Sequence, residues 1–238
     1  MAIDEREAAA VATGLFGPER ADARLYEVLC TTRAIRRLRP DPIPDDVLER
    51  VLSAALCAPT GGNAQPWRVL VLQSEDRKAA LAEHFAATWD EYSAPGKAAM
   101  QRLPADKRGR GERVMAAGDA LARDFARTPV VLAWLHDPRL LANEGEIDVQ
   151  PNFLFGGSLY PAIQNLLLAC RAEGLGGVIT TMIWRREDAV RRALGVPDPW
   201  RLHAITPIGY PARGGHGRIS RKPIGRMVYR ETWGEAWR

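Results

Sequence analysis

Ala58-Pro59-Thr60-Gly61-Gly62-Asn63-Ala64-Gln65-Pro66-Trp67-Arg68 is the stretch on which the reading of this 238-residue chain turns. Gly61 and Gly62 admit backbone conformations that a β-carbon disfavours. Pro59 and Pro66 hold φ near both ends and keep their preceding residues extended. Between them, Asn63 and Gln65 each carry an amide that donates and accepts. If the loop is locally extended, a spacing of two puts both amides on one side. Such a loop suits a flat heterocycle with donors and acceptors along one edge. It suits equally well a helix-to-strand connection with polar tips, because turn residues cluster this way in any loop.

On the N-terminal side of this loop the spacing of Val47, Leu48, Val51, Leu52, Ala55 and Leu56 predicts a half-buried helix, with Asp45 as its N-cap. Before it, Pro40-Asp41-Pro42-Ile43-Pro44 ends an earlier helix of about residues 24–32. On the C-terminal side, Trp67 to Leu72 and Pro129 to Leu135 are short, apolar and β-rich, and read as buried strands. Asp76 to Trp89 and Val114 to Arg127 read as helices. Tyr92 to Arg113 is polar, charged and poorly periodic, and reads as a mobile lid or an exposed excursion rather than core. Asp137 to Phe155 reads as a mixed loop. Gly156-Gly157-Ser158 then opens a strong helix, Leu159 to Ala172. Gly174-Leu175-Gly176-Gly177 reads as its C-terminal turn. A strand over residues 178–182, a helix of about 186–194 and a strand of about 202–209 follow. With no internal repeat and no linker, the chain reads as one α+β domain, 1–238, with an N-terminal extension (1–23) and a C-terminal extension from about 211.

Composition narrows the class. A hydrophobic share of 46% and a charged share of 26% fit a globular protein. No apolar run has membrane-spanning length, and residues 1–24 do not read as a signal peptide. Cys30, Cys57 and Cys170 are an odd, scattered set, each in an apolar helical pattern, and point to a reducing compartment. A cytoplasmic location is expected. The net charge of +4 is unevenly spread. Arg33, Arg36, Arg37 and Arg39 form one basic group; Arg213, Arg218, Arg221, Lys222, Arg226 and Arg230 form another. Together they are compatible with a nucleic-acid surface, a small phosphate site or ordinary solvated charge.

Familiar catalytic machinery is missing from the sequence. The four histidines have no metal-ligand spacing, and neither a nucleophile elbow nor a phosphate loop occurs. Polar loop amides with two arginine groups and no catalytic dyad suggest that a bound cofactor carries the chemistry.

Four stretches, in order, resemble the FMN-dependent nitroreductase family. They are Thr32-Arg33-Ala34-Ile35-Arg36-Arg37-Leu38, the loop of residues 58–67, the Gly-rich turn with Thr180-Thr181, and Arg221-Lys222-Pro223 beyond Ile208-Gly209-Tyr210-Pro211. The resemblance spans about residues 26–230. It implies an α+β fold with a mostly antiparallel central sheet surrounded by helices, and a homodimer whose C-terminal extension crosses to the partner. FMN would bind at the subunit interface and NADH or NADPH would be the electron donor. A small-molecule acceptor (a nitroaromatic, a quinone or a related compound) is implied, with neither nucleic acid nor membrane as a partner. No side chain is expected to act as acid or base.

By the same resemblance, Arg33, Arg36 and Arg37, with Ala34 in the same segment, lie near the FMN phosphate and ribityl chain. Arg221 and Lys222 close on the phosphate. Asn63 and Gln65 address the isoalloxazine edge, and Pro59, Thr60, Thr180 and Thr181 its surroundings. The first stretch departs from a pattern that often begins Arg-Arg-Ser: Thr32 and Ala34 lack the guanidinium and the hydroxyl. Related chemistries are flavin fragmentation, reductive dehalogenation and use of a deazaflavin donor. An FMN-storage protein and a nucleic-acid binder using the basic tail are the alternatives from other classes.

Overall fold

The structure, a computed structural model, describes residues 4–16, 23–140, 151–212 and 215–237. Four antiparallel strands form its sheet: β1 (Trp67–Leu72), β2 (Val130–His136), β3 (Gly176–Gly177) and β4 (Arg201–Gly209), in the spatial order β1-β2-β4-β3. Seven helices are found among the described residues: α1 (Glu5–Phe16), α2 (Leu25–Thr31), α3 (Asp45–Leu56), α4 (Glu75–Gln101), α5 (Ala105–Asp124), α6 (Pro151–Ala172) and α7 (Glu187–Leu194). The expected α+β architecture is therefore present. None of these helices is long and apolar enough to cross a membrane.

The core sits on both faces of the sheet because β2 is buried at every position and apolar from Val130 to Leu135. Its alternating side chains divide between two clusters. Val130, Leu132 and Trp134 meet Leu48 and Val51 of α3 and Ile163 and Leu166 of α6. Val131, Ala133 and Leu135 meet Leu81 and Phe85 of α4, Leu121 of α5 and Val190 of α7. Each such side chain contributes about 1.5–3 kcal/mol when fully buried. Trp134 carries one polar atom into this core and satisfies it, donating Nε1–H to Thr206 Oγ1 at 3.0 Å.

Several sequence expectations need correction. Asp45 is not the N-cap of α3; Pro44 holds that place in an extended conformation, and Asp45 and Asp46 fall in the first turn, where their charge complements the helix dipole. Residues 92–113 are almost wholly helical. α4 runs through Pro95 to Gln101, and α5 returns from Ala105. The hairpin lacks a clear apolar stripe because most of it is exposed and held by polar contacts. Asp119 Oδ1 accepts from Lys97 Nζ at 2.6 Å and Trp89 Nε1 at 2.7 Å, while Arg108 donates to the Leu103 carbonyl at 2.6 Å. α6 starts at Pro151, so Gly156 and Gly157 lie inside the helix rather than opening it. Of the mixed loop expected at 137–155, residues 141–150 lie outside the described residues, and 138–140 form a short 3-10 turn.

The strand expected at 178–182 is reduced to Gly176–Gly177 and one isolated pairing of Thr180 with Ile205; the chain then enters a 3-10 turn at Met182. What continues the sheet past β3 is the arginine-bearing segment. Ala34 pairs in parallel with Gly177, and Ile35 N donates to the Gly177 carbonyl at 2.9 Å. Leu38 pairs with Pro211 on the same side. This close approach requires glycine at position 176, where a β-carbon would lie 2.7 Å from Ile35 Cγ1. The basic segment is thereby bound to the scaffold through its backbone, leaving its alternate side chains free to point away.

Candidate functional site

The loop of residues 58–67 is not locally extended. Gly61–Asn63 form a 3-10 turn, and Gly62, Asn63 and Gln65 all have positive φ (55°, 54° and 48°). Asparagine tolerates that region; glutamine adopts it rarely, at roughly 1–2 kcal/mol. Local bonds hold the conformation: Gln65 N donates to Thr60 Oγ1 at 3.1 Å and Asn63 N to the Thr60 carbonyl at 3.0 Å. Gly61 N donates to Ser158 Oγ at 3.3 Å, which ties the loop to α6. The two amides still meet, with Gln65 Nε2 donating to Asn63 Oδ1 at 3.3 Å. Backbone strain held this firmly is typical of ligand sites.

Thr60, Gln65 and Arg68 border a cavity of about 300 Å³ whose other walls are apolar, among them Leu52, Leu56, Trp67, Val69 and Val71. It lies beside β1, an edge strand of the described sheet. Pro59 and Asn63 are exposed on the same loop.

A second cavity, of about 280 Å³, lies between the α4–α5 hairpin and residues 178–185. Arg36, Thr180 and Thr181 line it, so the structure brings these three expected residues together. Trp89, Tyr92, Trp184 and Arg185 also line it, and none of these four was picked out from the sequence. Tyr92 and Trp184 are 58% and 57% exposed, an aromatic rim open to solvent. Arg36 is half-buried, and burial draws its guanidinium below the usual arginine range, with Tyr92 countering. It remains charged. Among the described residues its side chain makes no ion pair and no hydrogen bond. A cation removed from water without a counter-ion is costly unless a bound anion or an electron-rich ring compensates.

The rest of the first basic group plays other parts. Arg37 Nη2 donates to the Ala116 carbonyl at 3.2 Å and so fastens the segment to α5. Ala34 contributes its backbone pairing with Gly177. Thr32 turns its hydroxyl back onto α2, donating to the Val28 carbonyl at 2.7 Å. Arg33 is exposed beside the tail, since a β-carbon on Gly217 would lie 3.3 Å from its Nη1. The tail runs over the end of α2, with Gly217 N donating to the Thr31 carbonyl and Ile219 N to the Cys30 carbonyl (3.4 and 3.1 Å). Arg221 and Lys222 follow, both exposed, with Arg221 Nη1 donating to the Ser220 carbonyl at 2.9 Å. The expected residues thus form three groups on one chain: the loop, the Arg36 cavity, and the tail with Arg33. The two cavities share no lining residue.

Fold and site together define an α+β protein with a four-stranded antiparallel sheet, a cationic, aromatic-rimmed cavity at one side, and a strained amide-bearing loop at another. The Nitroreductase family model matches residues 30–210, and the chain belongs to that family. A "NADH dehydrogenase" of Thermus thermophilus is 32% identical over 196 residues, covering 82% of this chain and 90% of the relative. A 5,6-dimethylbenzimidazole synthase of Rhodobacter capsulatus is 31% identical over 188 residues, covering 79% and 83%. A crystal structure of oxidized iodotyrosine deiodinase bound to FMN and 3-iodo-L-tyrosine superposes with a TM-score of 0.65 at 22% identity, covering 88% of this chain and 99% of that one. That last likeness speaks to the fold.

Proposed function

We propose that the protein is an FMN-dependent oxidoreductase. It would pass hydride from NADH or NADPH, through FMN, to a small acceptor such as a nitroaromatic or a quinone. The observation that carries this reading is Arg36: a half-buried guanidinium with no partner among the described residues, beside Thr180 and Thr181 in a cavity with aromatic walls. The donor set suits a flavin mononucleotide. Guanidiniums match a terminal phosphate in charge and fork geometry, amides and hydroxyls match a heterocycle edge, and aromatic faces match a ring. Family membership supports it, as does the FMN bound in the deiodinase structure.

A bound flavin supplies a two-electron carrier that takes hydride from one substrate and gives it to the next. The chain's own residues bind, orient and polarise. The fixed charge of Arg36 favours electron uptake by whatever lies against it, because a preorganised cation needs no reorganisation during the reaction. Asn63 and Gln65 offer donors and acceptors to a ring edge. Trp89, Tyr92 and Trp184 give flat surfaces against which a nicotinamide and an acceptor can lie in turn. No proton-transferring side chain is required.

The separation of the loop from the Arg36 cavity supports a homodimeric site. In a two-fold dimer one protomer's loop can complete the cavity of its partner, twice over. The tail carries exposed apolar residues, Met227, Trp233 (87% exposed) and Trp237 among them, folded on a small pairing of Tyr229 with Ala236. The apolar groove beside β1 is a matching surface for the tail of a second copy. We read residues 1–238 as one domain whose two ends reach beyond the core.

A second reading is favoured by the 31% relative, whose identity is nearly that of the 32% one. In it, the same site would consume its flavin rather than recycle it; the deiodinase-like fold also admits reductive dehalogenation. A steady-state screen of NADH and NADPH against a panel of nitroaromatics, quinones and halophenols separates these. Many turnovers per flavin with a nitroaromatic or quinone support the oxidoreductase reading. Loss of the flavin itself, or turnover with halophenols alone, would overturn it.

A further inference from the structure

Where the family pattern often places its first arginine, this chain has Thr32, and the Thr32 hydroxyl is committed to the Val28 carbonyl. Cations nevertheless gather at that spot from two distant parts of the sequence. Arg171, in the last turn of α6, donates Nε–H to Thr31 Oγ1 at 2.9 Å. Its two terminal nitrogens make no hydrogen bond among the described residues. The tail crosses the same place through the Gly217–Thr31 and Ile219–Cys30 bonds, which sets Arg33 against the Gly217 backbone and brings Arg221 two residues further on.

His216 precedes Gly217 in the same crossing. Burial lowers its pKa first and the charge of Arg171 next; backbone bonding at Leu175 and Gly174 opposes the shift, and the charge of Arg33 adds to it, so the imidazole lies within electrostatic reach of both guanidiniums. No ion pair among the described residues joins Arg33, Arg171 or Arg221 to a carboxylate. Like charges this close repel one another, and an anion with several acceptor oxygens relieves the repulsion best.

We propose that Arg171 supplies the guanidinium that position 32 lacks, and that Arg171, Arg33 and Arg221 together hold the terminal phosphate of the flavin nucleotide. The inference rests on the flavin reading above. It makes position 171 a determinant of FMN over riboflavin, which has the same ring and no phosphate.

The test uses the full-length apoprotein, titrated separately with FMN and riboflavin while flavin fluorescence is followed. Arg171→Gln should weaken FMN binding roughly tenfold or more, the usual cost of a lost charge-assisted contact, and leave riboflavin binding little changed. Arg171→Lys should fall between, since it keeps the charge and loses the fork. Unchanged FMN affinity in Arg171→Gln, or equal loss of both flavins, would overturn the assignment and leave Arg171 as a strut between α6 and α2. A parent protein that binds neither flavin would instead overturn the functional reading on which the assignment rests.

Discussion

Gln65 donates its side-chain amide to Asn63 Oδ1 at 3.3 Å, from a loop in which both residues hold positive φ. The pair shares this one bond on an exposed surface with few core contacts, and the bond leaves Asn63 Nδ2 and Gln65 Oε1 for other partners. Replacing both residues with Leu should therefore reduce flavin content, or shift the flavin potential, more than it changes the melting temperature. Parent-like flavin content and potential in the double variant would return the loop to a plain connection.

Gly176 and Ile35 fix the arginine segment to the sheet. Gly176→Ala would drive a methyl group to 2.7 Å from Ile35 Cγ1. Overpacking of this kind costs about 1–3 kcal/mol. Urea denaturation should show that loss together with weaker flavin binding, because the displaced segment carries Arg33 and Arg36. Stability equal to the parent would show that the segment is held elsewhere.

Two buried imidazoles predict acid sensitivity. His136 and His203 lie edge to face with centroids 5.3 Å apart. Burial, then the neighbouring His203, brings the His136 pKa down from 6.5 to about 4, and burial lowers that of His203. A histidine with a depressed folded pKa binds more protons when unfolded, so stability rises with pH across the interval between the two values. The melting temperature should fall as pH drops from about 6.5 towards 4, and His136→Gln should flatten that slope. A parent profile level over this window would show that the imidazoles protonate without cost.

Removing the tail after Tyr210 should abolish both dimer and flavin. In the proposed dimer the exposed aromatics of the tail would seat in the partner's groove, with Arg221 alongside. Light scattering on full-length and shortened chains checks the mass, and absorbance checks the flavin. A full-length monomer that retains FMN would contradict an interface site.

Elements with a strong apolar pattern were legible in the sequence. α3 repeats its apolar residues at helical spacing, β1 and β2 are short apolar runs, and the Gly174 turn does end α6, with Leu175 N donating to the Cys170 carbonyl at 2.7 Å. The outer parts of the α4–α5 hairpin, near 76–89 and 114–127, were legible as helices. Its far half, 92–113, was not, because an exposed stretch held by polar contacts such as Lys97 to Asp119 shows no core stripe. Thr180-Thr181 looked like strand from its β-branched residues, yet only Thr180 finds a partner strand. In the site, Arg36 and Thr180 were found through the four stretches and do line one cavity. Trp184 and Arg185 lie a few residues past Thr181 and were within reach of the same reasoning. Arg171 was not, since its bond to Thr31 joins residues 140 apart in sequence, with no local pattern to announce it.

The central claim is that this chain carries hydride on FMN. The most direct measurement loads the purified protein with FMN without oxygen, adds NADH or NADPH, and follows the yellow absorbance before and after a quinone or nitroaromatic is supplied. Bleaching by at least one nicotinamide, with colour restored by the acceptor, is the predicted result. A protein that takes up no FMN, or whose bound FMN keeps its colour with both nicotinamides, would contradict the account.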